Sequence, residues 1–143
     1  MADFEGTEPG GFRAEARSWL EVNYPPSLKG RDGLMSLSRE GGLPDEPAIR
    51  DWVKAMGEKG WGTPTWPKAY GGGGLSGAEA RVLQQEMNRI GAWNPIGGMG
   101  VMMFGPTLLE YGTEAQKQRH IPPIVRADLR WCQGFSEPGA GSD

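Results

Sequence analysis

A mainly α-helical chain that turns to β-structure only in its last residues is the fold class predicted by three observations. Apolar residues recur at helical spacing in three separate segments, 12–20, 49–56 and 82–90. Two segments begin with the reciprocal serine or threonine and glutamate or glutamine pair that caps a helix start. After residue 128 the pattern becomes aromatic and mixed, which suits a strand.

Each element follows from its residues. Positions 1–10 carry Gly, Pro, Thr and acidic side chains without periodicity and are expected to be a loose end. Phe12, Ala16, Trp19 and Leu20 then mark a short amphipathic helix, stopped by Pro25-Pro26 because proline cannot continue the hydrogen-bond ladder. Ser27 to Pro47 is rich in Gly, Ser, Asp and Pro, with Leu34, Met35 and Leu37 as its apolar markers, and reads as a long loop or a short helical turn. Ile49, Trp52, Val53 and Met56 give the i, i+3, i+4, i+7 stripe of a second helix that closes at Lys59-Gly60. Residues 61–74 contain Pro64, Pro67 and four consecutive glycines, so they form an ordered loop or a linker, and the aromatics favour order. Ser76 and Glu79 cap a third helix carrying Val82, Leu83, Met87 and Ile90 and ending at Gly91, with Arg81 and Glu86 expected to face outward. A run from Val101 to Tyr111 ends at Gly112, and Thr113 with Gln116 caps a further helix that Pro122-Pro123 should interrupt or end. Leu129 to Phe135 is the expected strand, so the chain reads as a helical unit with the start of a β-domain attached.

Composition narrows the function. The 143 residues are one domain's worth, and although Gly 24 and Pro 12 make about a quarter of them, six Trp and seven Met argue for a packed core over disorder. A net charge of -3 without a Lys/Arg cluster leaves no footprint for nucleic acid or an anionic membrane. No apolar run approaches the roughly 18 residues of a membrane span, and the acidic start does not read as a secretory signal. Cys132 is the one cysteine and His120 the one histidine, too few for a disulfide or a zinc site, so a reducing, cytoplasmic setting is expected.

The segment from Phe135 to Asp143 carries the most chemical information. Gly139 and Gly141 let backbone amides approach a phosphate, and Ser136 and Ser142 add hydroxyl donors. On spacing alone this is an anion-binding turn or an ordinary Pro-Gly surface turn; it is not a dinucleotide fingerprint, whose third glycine, following helix and later acid are missing. Met99, Met102, Met103 and Phe104 suit either a channel for a ligand chain of variable shape or a plain core helix. Tyr70 with Gly71–Gly74 reads as a close-packed loop rather than a phosphate cradle, His120 as a surface residue at a helix end, and Cys132 as a small buried strand residue rather than a nucleophile.

The full string Trp131-Cys-Gln-Gly-Phe-Ser-Glu-Pro-Gly-Ala-Gly-Ser-Asp143 closely resembles the signature of the acyl-CoA dehydrogenase family. Two upstream blocks agree in order: Gly60-Trp-Gly-Thr-Pro-Thr-Trp-Pro-Lys-Ala-Tyr-Gly-Gly-Gly-Gly-Leu-Ser76, and Gly105-Pro106 with Tyr111-Gly-Thr-Glu-Ala-Gln-Lys117. The resemblance implies an amino-terminal helical domain over 11–126 and, over 127–143, the first strand of a middle β-barrel domain. It also implies FAD as cofactor and α,β-dehydrogenation of acyl-CoA thioesters to trans-2-enoyl-CoA, the β hydrogen leaving as hydride to the flavin. Gln133, Phe135 and Ser136 match positions along the flavin ring. Gly141 and Ser142 match the turn at the FAD phosphate, and Ser142 also the CoA part of the substrate. Glu137 and Asp143 are assigned to shaping that turn. The family's catalytic base is a glutamate further downstream that no residue here matches, so no catalytic residue is assigned and the chain is expected to be inactive alone. Implied partners are the acyl-CoA, an electron-transfer flavoprotein or similar acceptor, and further subunits of a homo- or hetero-oligomer. The alternative is a non-catalytic helical module that associates with full-length dehydrogenase subunits.

Overall fold

The computed structural model describes residues 9–31, 33–40, 42–132, 134, 138 and 139. Phe12, Ala16, Leu20 and Tyr24 recur every fourth residue and are all buried, and this stripe drives α1, Pro9–Asn23, together with the turn that follows it. The region open to loop or helical turn holds a 3-10 turn, Pro26–Leu28, and a short helix α2, Leu34–Glu40. α3, Pro47–Lys59, starts on a proline, whose missing N–H costs nothing there, and ends on Gly60 at φ +76, whose amide donates to the Met56 carbonyl at 3.0 Å. α4, Gly77–Ile90, starts at Ser76: its hydroxyl accepts from the Glu79 amide and the Glu79 carboxylate accepts from the Ser76 amide. α5, Gly105–Tyr111, and α6, Glu114–Val125, complete the helices, the latter capped reciprocally by Thr113 and Gln116.

Two apolar clusters hold the helices. The larger joins α1, α3 and α4 through Leu20, Trp52, Met56, Leu83 and Met87, and Trp52 donates from its indole nitrogen to the Trp93 carbonyl at 2.8 Å. The smaller joins α5 and α6 to the Gly-rich loop through Leu108, Ile121, Val125 and Tyr70. Tyr70 also donates its hydroxyl to Glu114 at 2.7 Å, which fastens that loop to the first turn of α6.

The loop over 61–74 is ordered and close-packed. Gly73, Gly74 and Leu75 donate to the carbonyls of Thr63, Trp66 and Pro64 at 3.1, 2.9 and 2.8 Å. A Cβ at Gly73 would lie 2.6 Å from the Pro64 carbonyl oxygen, so this approach admits only glycine.

Four expectations change. Glu86 does not face outward: it is 1% exposed and lies between α1 and α4. Arg17 donates to both its oxygens at 3.0 Å, Arg13 at 3.0 Å and Arg89 at 2.9 Å, so the carboxylate is fully solvated by guanidinium groups. Pro122 and Pro123 do not end α6, which continues to Val125. The carbonyls they leave without a helical donor belong to Gln118 and Arg119, both exposed to water, while Ile121, Ile124 and Val125 are buried and hold the turn in place. Cys132 is exposed, not buried in a strand. No described residue forms a strand; Leu129 to Cys132 lack a ladder neighbour among the described residues, and a strand is defined by its neighbour. Among the described residues no helix is long and apolar enough to cross a membrane.

Candidate functional site

The segment between α4 and α5 builds one wall of the site. After Gly91 the chain runs without regular structure to Gly98, then coils into a wide π-turn, Gly100–Phe104, closed by the Gly105 amide on the Gly100 carbonyl. The width has a local cause. A Cβ at Gly105 would meet the Trp66 ring and lie 2.7 Å from the Gly100 carbonyl oxygen, and one at Gly100 would lie 2.9 Å from Trp131 Cδ1. Glycine at both positions lets two indoles press against bare backbone. Insertions of this kind occur often at functional sites.

A groove of about 1020 Å³ opens beside this turn. Its second wall is the outer face of α3, with Val53 and Lys54; its third is the segment 124–132 leaving α6. Met99, Met102, Ile124 and Leu129 give it an apolar lining. Cationic side chains stand at the same groove, among them Arg50, Lys54, Arg126 and Arg130. Two of these are already paired, Arg50 with Asp45 and Arg126 with Asp128 at 2.8 Å. Asp45, Glu58 and Asp128 line the groove as well, and an apolar trough with charges of both signs beside it suits an elongated amphipathic ligand.

The positions singled out in the sequence divide. Met99 and Met102 line the groove, Met103 is 47% exposed, and Phe104 turns away into an aromatic cluster with His120 and Trp131. His120 is therefore half-buried against rings, not a plain surface residue. Cys132 lines the groove, while Gln133, Phe135, Ser136, Gly141 and Ser142 lie outside the described residues, as do Glu137 and Asp143. Among the described residues no cluster of His, Cys, Asp and Glu could hold a metal ion.

Sequence reasoning missed Trp131 as a packing residue and the contribution of α3 to the groove. The first left no specific signal, because glycines five residues apart, as at Gly100 and Gly105, are common in a chain with 24 glycines. The second had none, because Val53 reads equally well as core.

The acyl-CoA dehydrogenase N-terminal domain model matches residues 8–128. The chain belongs to the acyl-CoA dehydrogenase family. It is 39% identical over 132 residues to the acyl-CoA dehydrogenase IpdE1 of Mycolicibacterium smegmatis, covering 92% of this chain and 33% of the relative. It is 35% identical over the same length to the acyl-CoA dehydrogenase FadE26 of Mycobacterium tuberculosis, covering 92% and 32%. Among solved structures, the ChsE4-ChsE5 complex of Mycobacterium tuberculosis superposes with a TM-score of 0.61 at 32% identity over 94% of this chain and 32% of that one. The Tcur3481-Tcur3483 steroid acyl-CoA dehydrogenase does so at 0.57 and 35% identity, over 93% and 32%. The chain thus spans about a third of the length of these acyl-CoA dehydrogenases.

Proposed function

We propose that this chain is the amino-terminal part of an FAD-dependent acyl-CoA dehydrogenase that converts acyl-CoA thioesters to trans-2-enoyl-CoA. The observation that carries the reading is the apolar groove beside the π-turn, which runs into the segment bearing the family signature. Its role is to receive the acyl group on Met99, Met102 and Ile124 and to exclude water from it. Lys54 and Arg130 are then placed to meet an anionic end of the ligand.

The described part of the terminal turn is compatible with a bound diphosphate. Gly139 is left-handed at φ +82, a conformation that glycine adopts without strain in a tight turn. Gln133, Phe135 and Ser136 would lie along the flavin, Gly141 and Ser142 at its phosphates, with Ser142 reaching the CoA moiety as well. FAD, when bound, supplies the hydride acceptor that no side chain can provide. No residue of this chain is assigned as the base that takes the α proton, and the 143 residues alone are expected not to turn over.

The substrate class follows from the groove and the relatives together. Gly97 and Gly98 leave part of one wall without side chains, and one solved relative is described as a steroid dehydrogenase, so we place the substrate among bulky, steroid-type acyl-CoA thioesters. One solved relative is named as the ChsE4-ChsE5 complex, which supports a paired-subunit assembly for this chain; its electron acceptor we take to be an electron-transfer flavoprotein or similar protein.

The test is the visible spectrum and product analysis of the protein as its own gene encodes it, produced together with its paired subunit. Stoichiometric flavin absorbance and a 2-enoyl thioester from a steroid-type acyl-CoA are expected. A colourless protein that leaves every acyl-CoA unchanged overturns the reading, and stoichiometric flavin on residues 1–143 alone overturns the view that the site needs more than this chain.

A further inference from the structure

After α6 the chain has little to hold it. Every described residue from Arg126 to Gly134 is exposed except Trp131. The turn at 126–128 is fixed by the Ala127 and Asp128 amides on the Ile124 and Pro123 carbonyls, but among the described residues beyond it one half-buried side chain returns to the helices. That side chain is well seated. The Trp131 ring lies 3.9 Å from the Phe104 ring between centroids, tilted by 33°, and meets the His120 ring edge-on at 5.7 Å and 83°. Phe104 and His120 pack on each other at 5.6 Å and 67°, so the three rings form one closed cluster.

Its floor is backbone. A Cβ at Gly100 would lie 2.9 Å from Trp131 Cδ1 and 3.4 Å from Ile124 Cγ1, so the indole occupies the space that any other residue at 100 would fill. The Trp131 indole nitrogen is buried and has no acceptor among the described residues. Ring packing, not a hydrogen bond, therefore fixes it, and an unmade buried bond works against the contact.

We propose that Trp131, clamped by Phe104, His120 and the Gly100 backbone, is a positioning residue that fixes where the flavin-contacting segment begins. The inference rests on the functional reading above. Gln133, which the family resemblance assigns to the flavin, follows Trp131 by two residues, so the seat of the indole sets the point from which that segment departs. The π-turn thereby acquires a second use: it lines the acyl groove on one side and seats the indole on the other.

The experiment compares Trp131→Ala, Trp131→Phe and Gly100→Ala in the complete, flavin-loaded protein. Trp131→Ala and Gly100→Ala should lower kcat roughly tenfold to a hundredfold and shift the flavin absorption bands, as misplacement of a reacting group does. Trp131→Phe keeps a ring and discards the unpaired N–H, and should recover most of the loss. His120→Ala, which leaves the core untouched, should give a smaller effect of the same kind that adds nothing to Trp131→Ala, and it serves if either larger change prevents folding. An active parent whose Trp131→Ala and His120→Ala variants keep its kcat and flavin spectrum overturns this proposal alone. A parent without flavin or dehydrogenation overturns the functional reading first, and this proposal with it.

Discussion

At the scale of single residues, the glycines separate into those the backbone needs and those it tolerates. A Cβ at Gly73 would come 2.6 Å from the Pro64 carbonyl oxygen and 3.0 Å from that of Gly60, and backbone atoms cannot step aside as a flexible side chain can. Gly73→Ala should cost about 2 kcal/mol, as overpacking a close-packed site does. Gly77 opens α4 with nothing within 4 Å of a Cβ, so Gly77→Ala should be neutral or stabilise by about 0.5 kcal/mol through the entropy of the unfolded chain. Urea unfolding of the two variants side by side checks the contrast; equal effects would contradict it. Glu86 is the other residue with a large local effect. Arg17 above all, with Arg89 and Arg13, holds its carboxyl down to about 2 against the opposing effect of burial. The arginine side chains around it are 38 to 47% exposed, so they can return to water if the carboxylate is removed. Glu86→Gln should therefore cost about 2 kcal/mol, nearer a set of charge-assisted hydrogen bonds than a stranded buried charge.

At the scale of elements, the two capping boxes are the cleanest test of local determination. Each satisfies amides that no helical carbonyl can reach, and each lies at an exposed helix start, so tertiary contacts do little to compensate for its loss. Ser76→Ala and Thr113→Ala should each cost about 1 kcal/mol, and the two should add because the caps belong to different helices. Thermal melts of both single variants and the double variant measure this; strong non-additivity would show that α4 and α6 do not unfold as separately capped elements. α6 also shows an element held against its sequence. Its two prolines argue for a stop, yet three buried apolar residues in that last turn keep the helix going.

For the molecule as a whole, acid stability depends on carboxylates with depressed titration. Glu86 is the strongest case, and Glu46, beside Arg31, and Glu114, accepting from Tyr70, shift in the same direction. A carboxylate whose folded value lies below its unfolded one stabilises the fold above the unfolded value and loses that contribution as pH falls towards the folded value. Stability should therefore be level above the ordinary carboxylate value of 4.5 and decline from there towards about 2, with Glu86→Gln removing most of the slope. Urea midpoints across that range test it, and a variant with the parent's slope would refute the assignment to Glu86. Much of this architecture was legible beforehand. The helix starts at Ser76 and Thr113 and the left-handed stops at Gly60 and Gly91 are each set within a few residues, by groups that meet whatever the rest of the chain does. Even Glu86 left a trace, since it falls on the same face as Val82, Leu83 and Met87 while Arg13 and Arg17 stand four apart on α1. The sequence by itself determined the starts of α4 and α6, the stops of α3 and α4 and, through its resemblance, the family. Only the tertiary structure decided that Glu86 is buried, that Pro122 and Pro123 sit inside a helix, and that Trp131 holds the departing chain, because burial and ring packing depend on which distant segments arrive at the same place.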